Sequence, residues 1–120
     1  VNEIVGDRLW PLNPDGDVIN IVLIEDQVGI EIARDIVGAP GVGVAIPGPG
    51  DLRRAYEGDM EAVENAIQTV LAACKEFDVP CGITAGPDDI TMRLEQGFEM
   101  IIVTRPEALA VGLQASGRGS

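Results

Sequence analysis

Four short apolar runs, at residues 19–24, 42–46, 81–84 and 100–103, alternate with stretches of helical spacing, and this alternation constrains the chain more than any other feature. The first run is apolar on both faces apart from Asn20, the pattern of a strand covered by helices on both sides. Residues 26–37 then place Val28, Ile32, Ala33 and Ile36 at helical spacing, opposite Glu31, Arg34 and Asp35. Gly38, Pro40 and Gly41 stop that helix. The longest helix begins at Asp59 as its N-cap and carries Met60, Val63, Ile67, Val70, Leu71, Cys74 and Phe77 on one stripe, ending at Asp78 and Pro80. Pro87, Asp88 and Asp89 suit another helix start, with a stop at Gly97, and Pro106 with Glu107 opens a last Ala-rich helix to about Gln114. Pro47-Gly48-Pro49-Gly50 forbids helix or sheet and reads as a loop.

Strand then helix, four times over with short connections, predicts an α/β fold of parallel strands joined by right-handed crossovers. Four such units make half of a (β/α)8 TIM barrel, for which about 250 residues is typical. An open doubly wound sheet has the same element order. The half barrel is the preferred reading, because the polar candidate residues stand at the carboxyl ends of successive strands. Residues 1–17 are expected to be irregular, with Trp10 docking them onto a neighbouring surface, and residues 116–120 to form a tail.

At 120 residues, 46% of them hydrophobic, the chain is one domain's length with enough apolar material for a core. Eight basic against twenty acidic residues give a net charge of −12. Over a Debye length of about 8 Å such a charge repels phosphate backbones and anionic lipid, which argues against nucleic-acid and membrane partners. No apolar run approaches the roughly 20 residues of a spanning helix, and no basic segment leads into an apolar one at the start, so no signal peptide is expected. Cys74 and Cys81 are not in a CxxC arrangement and are expected to be reduced packing residues in a cytoplasmic protein. Histidine is absent. Chemistry must therefore run on carboxylates, backbone donors or water, or on groups from another chain.

Two carboxylates qualify. Glu25 closes the first apolar run, and Asp51 follows the glycine-proline turn after the second. Carboxyl ends of neighbouring parallel strands lie roughly 4.8 Å apart, so on adjacent strands both reach one divalent cation, and Mg2+ commonly takes only one or two protein carboxylates. Pro47 and Pro49 lack an N–H, leaving Gly48, Gly50 and Asp51 as donors to an anion beside that cation. The simpler alternatives are a turn or N-cap role for Asp51 and a solvated strand-end charge for Glu25. Asp26 is expected to be solvated, Arg53 and Arg54 to form salt bridges, and Asp88 and Asp89 to serve the helix start.

The run IVLIED, an amphipathic helix, APGVGVAIPGPGDL, a long helix with VPCGITA, and GFEMIIV together resemble the HpcH/HpaI aldolase/citrate lyase family. The resemblance covers nearly the whole chain, and residues 1–120 are similar to the C-terminal half of that family's barrel. It implies a lyase using Mg2+ or Mn2+ to cleave or form carbon–carbon bonds of 2-oxo acids or acyl-CoA esters, usually as an oligomer. On it, Glu25 and Asp51 fall on the metal-ligand carboxylates, and Gly48, Pro49, Gly50 and Asp51 on the loop that holds the substrate carboxylate. Relatives also use an arginine and, in the aldolase branch, a histidine from the first barrel half, so no catalytic base is assigned here. Arg53 stands where relatives commonly have serine, and Thr104-Arg105-Pro106 replaces a glycine-and-aspartate pattern. A catalytically inactive fragment, or a half barrel used for binding or assembly with a homo-oligomer or a partner completing it, is the alternative reading.

Overall fold

The computed structural model describes residues 8–117. Its strands are β1 (Leu9–Trp10), β2 (Val18–Ile19), β3 (Ile21–Ile24), β4 (Val44–Pro47), β5 (Gly82–Thr84) and β6 (Met100–Ile102). Its helices are α1 (Gln27–Glu31), α2 (Ala33–Val37), α3 (Pro49–Ala55), α4 (Met60–Phe77), α5 (Ile90–Gln96) and α6 (Pro106–Ala115). All strand pairs are parallel. β3 pairs with β4 in the register Ile21↔Val44 to Ile24↔Pro47, and β5 with β6 from Gly82↔Met100 to Thr84↔Ile102. A parallel bridge between Ala45 and Cys81 joins the two pairs, so the four strands run in chain order.

Because the pairing is parallel, aligned residues share a face, and the two faces differ. Val22, Ile24, Ala45, Ile83 and Ile101 point into a core built with Ala33, Val37, Leu52 and the stripe Val63, Ala66, Ile67, Val70, Leu71, Ala73 and Cys74 of α4. The helices lie on this side. On the other side Ile21 is 46% and Leu23 57% exposed, and Thr84 is exposed as well. The described chain is a slab of 43 × 40 × 23 Å, thick enough for one sheet and one layer of helices. This corrects the reading of residues 19–24 as a strand covered on both faces: β-branched residues favour the pleat whichever face is covered, so composition alone does not distinguish the cases. Sequential strand order with helices on one face also departs from a doubly wound sheet, which carries helices on both.

Local chemistry sets the remaining boundaries. Asp26 caps α1, its Oδ1 accepting from the Gly29 N–H at 2.7 Å. The helix expected over 26–37 breaks at Ile32 (φ −109°, ψ 22°), and the break leaves Val28 and Ile32 exposed while Ala33 and Val37 are buried. Asp59 caps α4 through the Ala62 N–H at 3.2 Å, and Asp78, in the left-handed region at φ 55°, ends it. Residues 47–50 do not form the expected loop. Pro47 ends β4, and Pro49 opens α3 at a position where its missing N–H costs nothing. In the stretch expected to be irregular, Leu9–Trp10 pairs with Val18–Ile19, and the Trp10 ring packs close on Gly43. The first seven residues of that stretch, and 118–120 of the expected tail, lie outside the described residues. Cys74 and Cys81 are free and buried, as expected.

One buried charge ties α4 to α5. Arg93, 6% exposed, donates to the Glu64 carboxylate through Nη1 at 2.7 Å and Nη2 at 2.9 Å, and its guanidinium lies 5.8 Å from the centre of the Phe98 ring. The Arg93 hydrogen bonds, supported by one from Gln68, hold the Glu64 carboxyl below its ordinary value of 4.5 despite partial burial. A depressed folded value means that Glu64 contributes stability above about pH 4.5, and that this is lost as pH falls through the folded value. Glu64→Gln is therefore expected to lower the urea midpoint most near neutrality. The gap to the native chain should close on acidification below pH 4.5, and a gap independent of pH would show that the pair is not the cause.

Candidate metal and anion site

The carboxyl ends of β3 and β4 meet where the sequence places its two carboxylates. β3 hands on to Glu25, and the Gly48 N–H donates to the Ile24 carbonyl at 3.2 Å, extending the ladder one step past Pro47. Gly48 then becomes the N-cap of α3, and its carbonyl accepts from the Leu52 N–H at 2.9 Å. Asp51 consequently sits in the first turn of a helix, where the positive end of the backbone dipole favours a carboxylate.

Gly48 is the hinge of this geometry. A Cβ there would lie 3.1 Å from Glu25 Cγ, 3.3 Å from Glu25 Oε1 and 3.6 Å from Asp51 Oδ2. Two carboxylate oxygens from different strand ends thus flank one point, over a residue whose lack of a side chain leaves them room. Asp51 Oδ1 is engaged by Arg54, one helical turn on, as expected for this arginine. Both partners of that pair are substantially exposed. Arg53 makes no ion pair among the described residues.

The donors of the expected anion loop are only partly free. The Gly48 N–H is used by the ladder, and Pro49 has none. Gly50 and Asp51 lie in the first turn of α3, whose N–H groups have no intrahelical acceptor. Asp26 is held as a cap and Asp89 Oδ1 accepts the Gly86 N–H at 2.7 Å, so neither joins Glu25 and Asp51. Among the described residues no group of three or more carboxylate, cysteine or histidine side chains is placed to hold a metal ion. Two hard oxygen donors fit Mg2+ or Mn2+, which keep waters and substrate oxygens in the remaining positions.

Sequence reasoning assigned no role to two arginines. Arg93 is a structural clamp, and its signal was its i+3 spacing from Ile90 on the buried face of α5. Arg105, at the carboxyl end of β6, reaches back over Gly86 at the end of β5, its Nη2 3.5 Å from the position of a Cβ there. A cavity of about 300 Å3 between β6, α5 and α6 is lined by Ile90, Leu94, Phe98, Ile101, Val103 and Leu109. No helix among the described residues is long and apolar enough to cross a membrane.

No family model matches the chain, and no curated protein does. Solved structures do. An HpcH/HpaI aldolase/citrate lyase family protein from Burkholderia cenocepacia J2315 is 31% identical, with a TM-score of 0.69, over 93% of this chain and 44% of its own. A citrate lyase from Burkholderia xenovorans LB400 superposes with a TM-score of 0.75 at 18% identity, over 95% of this chain and 41% of its own. An HpcH/HpaI aldolase from Desulfitobacterium hafniense DCB-2 gives 0.67 at 22% identity, over 83% and 41%. The chain spans less than half the length of each of these three relatives. The resemblance read from the sequence motifs holds in three dimensions: this α/β chain is similar, over most of its length, to part of an HpcH/HpaI aldolase/citrate lyase family protein.

Proposed function

We propose that residues 1–120 are the C-terminal half of a (β/α)8 barrel and supply the metal-ligand half of a divalent-metal-dependent carbon–carbon lyase of the class II aldolase type. Its substrate class is 2-oxo acids, with pyruvate or a related product released. The observation that carries this reading is the convergence of Glu25 Oε1 and Asp51 Oδ2 over Gly48 at the carboxyl ends of adjacent parallel strands. A cytoplasmic setting belongs to the same proposal, supported by the two unpaired buried thiols.

In this reading Glu25 and Asp51 hold Mg2+ or Mn2+, and the Gly50 and Asp51 N–H groups bind the substrate carboxylate. The bound cation supplies Lewis-acid stabilisation of negative charge on a substrate oxygen, worth several kcal/mol. Arg54 competes with the cation for Asp51. Both site carboxylates are committed as ligands and the chain has no histidine, so the base that takes the substrate hydroxyl proton comes from outside these residues. Base catalysis is typically worth 10²- to 10⁴-fold.

The second reading, a binding or assembly module, is favoured by the exposed apolar sheet face of Ile19, Ile21 and Leu23. Contiguous apolar surface and open strand edges drive association. The two readings are compatible if a second copy or a partner covers that face.

Three measurements test them. By calorimetry, Mn2+ should bind the native chain weakly, and Glu25→Gln or Asp51→Asn should each abolish binding. Arg54→Ala should tighten it by up to about fivefold, the worth of an exposed ion pair; unchanged titrations in both carboxylate variants would remove the site. In a coupled assay, this chain alone should release little pyruvate from 4-hydroxy-2-oxo acids, and a barrel completed with the missing half should release it in an EDTA-sensitive way. Release that ignores EDTA would rule out the metal-dependent reaction. Light scattering should find the chain self-associated, with Leu23→Lys shifting it toward monomer; a native chain that stays monomeric in dilute solution would count against the assembly reading.

A further inference from the structure

The fold brings the chain's two cysteines together. Cys74 lies near the end of α4, and the helix closes there with Asp78 in the left-handed region and the Val79 N–H donating to the Cys74 carbonyl at 2.9 Å. Cys81 stands at the entry to β5, bridged to Ala45 of β4 and two residues before Ile83, so it faces the helix-covered side of the sheet. Both side chains are 1% exposed and belong to the core that α4 forms with the strands. The two thiols are in hydrogen-bond contact. That contact lowers the Cys74 thiol below its ordinary value of 9.0, against the effect of burial, and raises that of Cys81 together with burial. One buried thiol packs as a small apolar group. Two in contact are also a dithiol, lacking only the bond between their sulfurs.

We infer that Cys74 and Cys81 form an oxidation site, at which hydrogen peroxide joins them in a disulfide that braces the end of α4 to the start of β5. The Cys74 sulfur attacks one peroxide oxygen, so that the O–O bond breaks, an S–O bond forms and one water leaves. Cys81 Sγ then attacks the Cys74 sulfur. An S–S bond forms, the S–O bond breaks, and the departing hydroxide takes the Cys81 proton as a second water. The sulfurs lose two electrons in all, and one peroxide is reduced to two waters. Burial confines this chemistry to a small uncharged oxidant that enters as the turn at 78–80 opens.

The bond closes a short ring across the connection from α4 to β5 and removes freedom from the unfolded chain. It lies at the amino end of β5, on the edge of the sheet opposite Glu25 and Asp51, so it acts on the fold and not on the carboxylate pair.

Lys75 lies between the two cysteines, which makes the bond directly readable. Trypsin separates the peptide ending at Lys75 from the one running to Arg93 unless a disulfide joins them. Hydrogen peroxide added to the folded chain should lower its intact mass by about 2 Da, the loss of two hydrogens. Trypsin should then release the two peptides as one cross-linked species, which dithiothreitol separates. The melting temperature of the oxidised chain should rise by roughly 10 °C. Cys74→Ser and Cys81→Ser should each abolish the cross-link, and should either variant fail to fold, the peptide map of the native chain decides alone. Peptides that stay separate after oxidation, with thiols intact or carrying added oxygen, overturn the site. A cross-link that leaves the melting temperature unchanged overturns the brace.

Discussion

The structure depends on one packing interface, the apolar stripe of α4 against the helix-covered face of the sheet. Val63, Ala66, Ile67, Val70, Leu71 and Cys74 are buried together with Ala45 of β4, Ile83 of β5 and Ala33 and Val37 of α2. Apolar surface buried in this way stabilises by about 25 cal/mol per Å2. With α4 anchored along β4, its flanking connections are short, and short connections force the neighbouring strands to be parallel and sequential. Helices then gather on a single face, and the carboxyl ends of the strands fall on one edge.

That edge is where the polar residues belong. Glu25 and Asp51 do not contact each other through any helix or loop of their own. They converge because β3 and β4 pair in a register that carries Gly48 alongside the residue after Ile24. The ladder bond from the Gly48 N–H to Ile24 fixes the distance, and the start of α3 turns Asp51 back toward it. The same helix supplies Arg54, which pairs with Asp51.

The excess of acid residues is otherwise handled at the surface. Asp26 and Asp59 are spent as helix caps, where backbone N–H groups stabilise them. Glu64 is the exception, because it serves the buried Arg93. Removing a partner from a buried charge costs more than the pair contributes, so this clamp fixes the position of α5 relative to α4. The position of α5 in turn fixes the turn at Gly86 over which Arg105 lies.

Periodicity in the sequence determined a good deal by itself. The stripe on α4, its cap at Asp59 and its stop at Asp78 follow from spacing and side-chain chemistry within one element, and they stand as read. Strands also form within the four apolar runs, as β3 to β6, although Asn20 separates β2 from β3, and Glu25 directly follows β3 while Asp51 lies in the first turn of α3. Tertiary structure decided what local signals leave open. Which face of β3 is covered depends on where the helices pack, and Ile21 and Leu23 are exposed although their composition reads as core. Proline at residue 49 is a breaker in mid-element and a starter at the first turn, and only the ladder that positions Gly48 as N-cap selects the second. The burial of Arg93 and the reach of Arg105 over Gly86 join residues from separate elements. No window of sequence contains those contacts, since they exist only once long-range packing has brought the elements together.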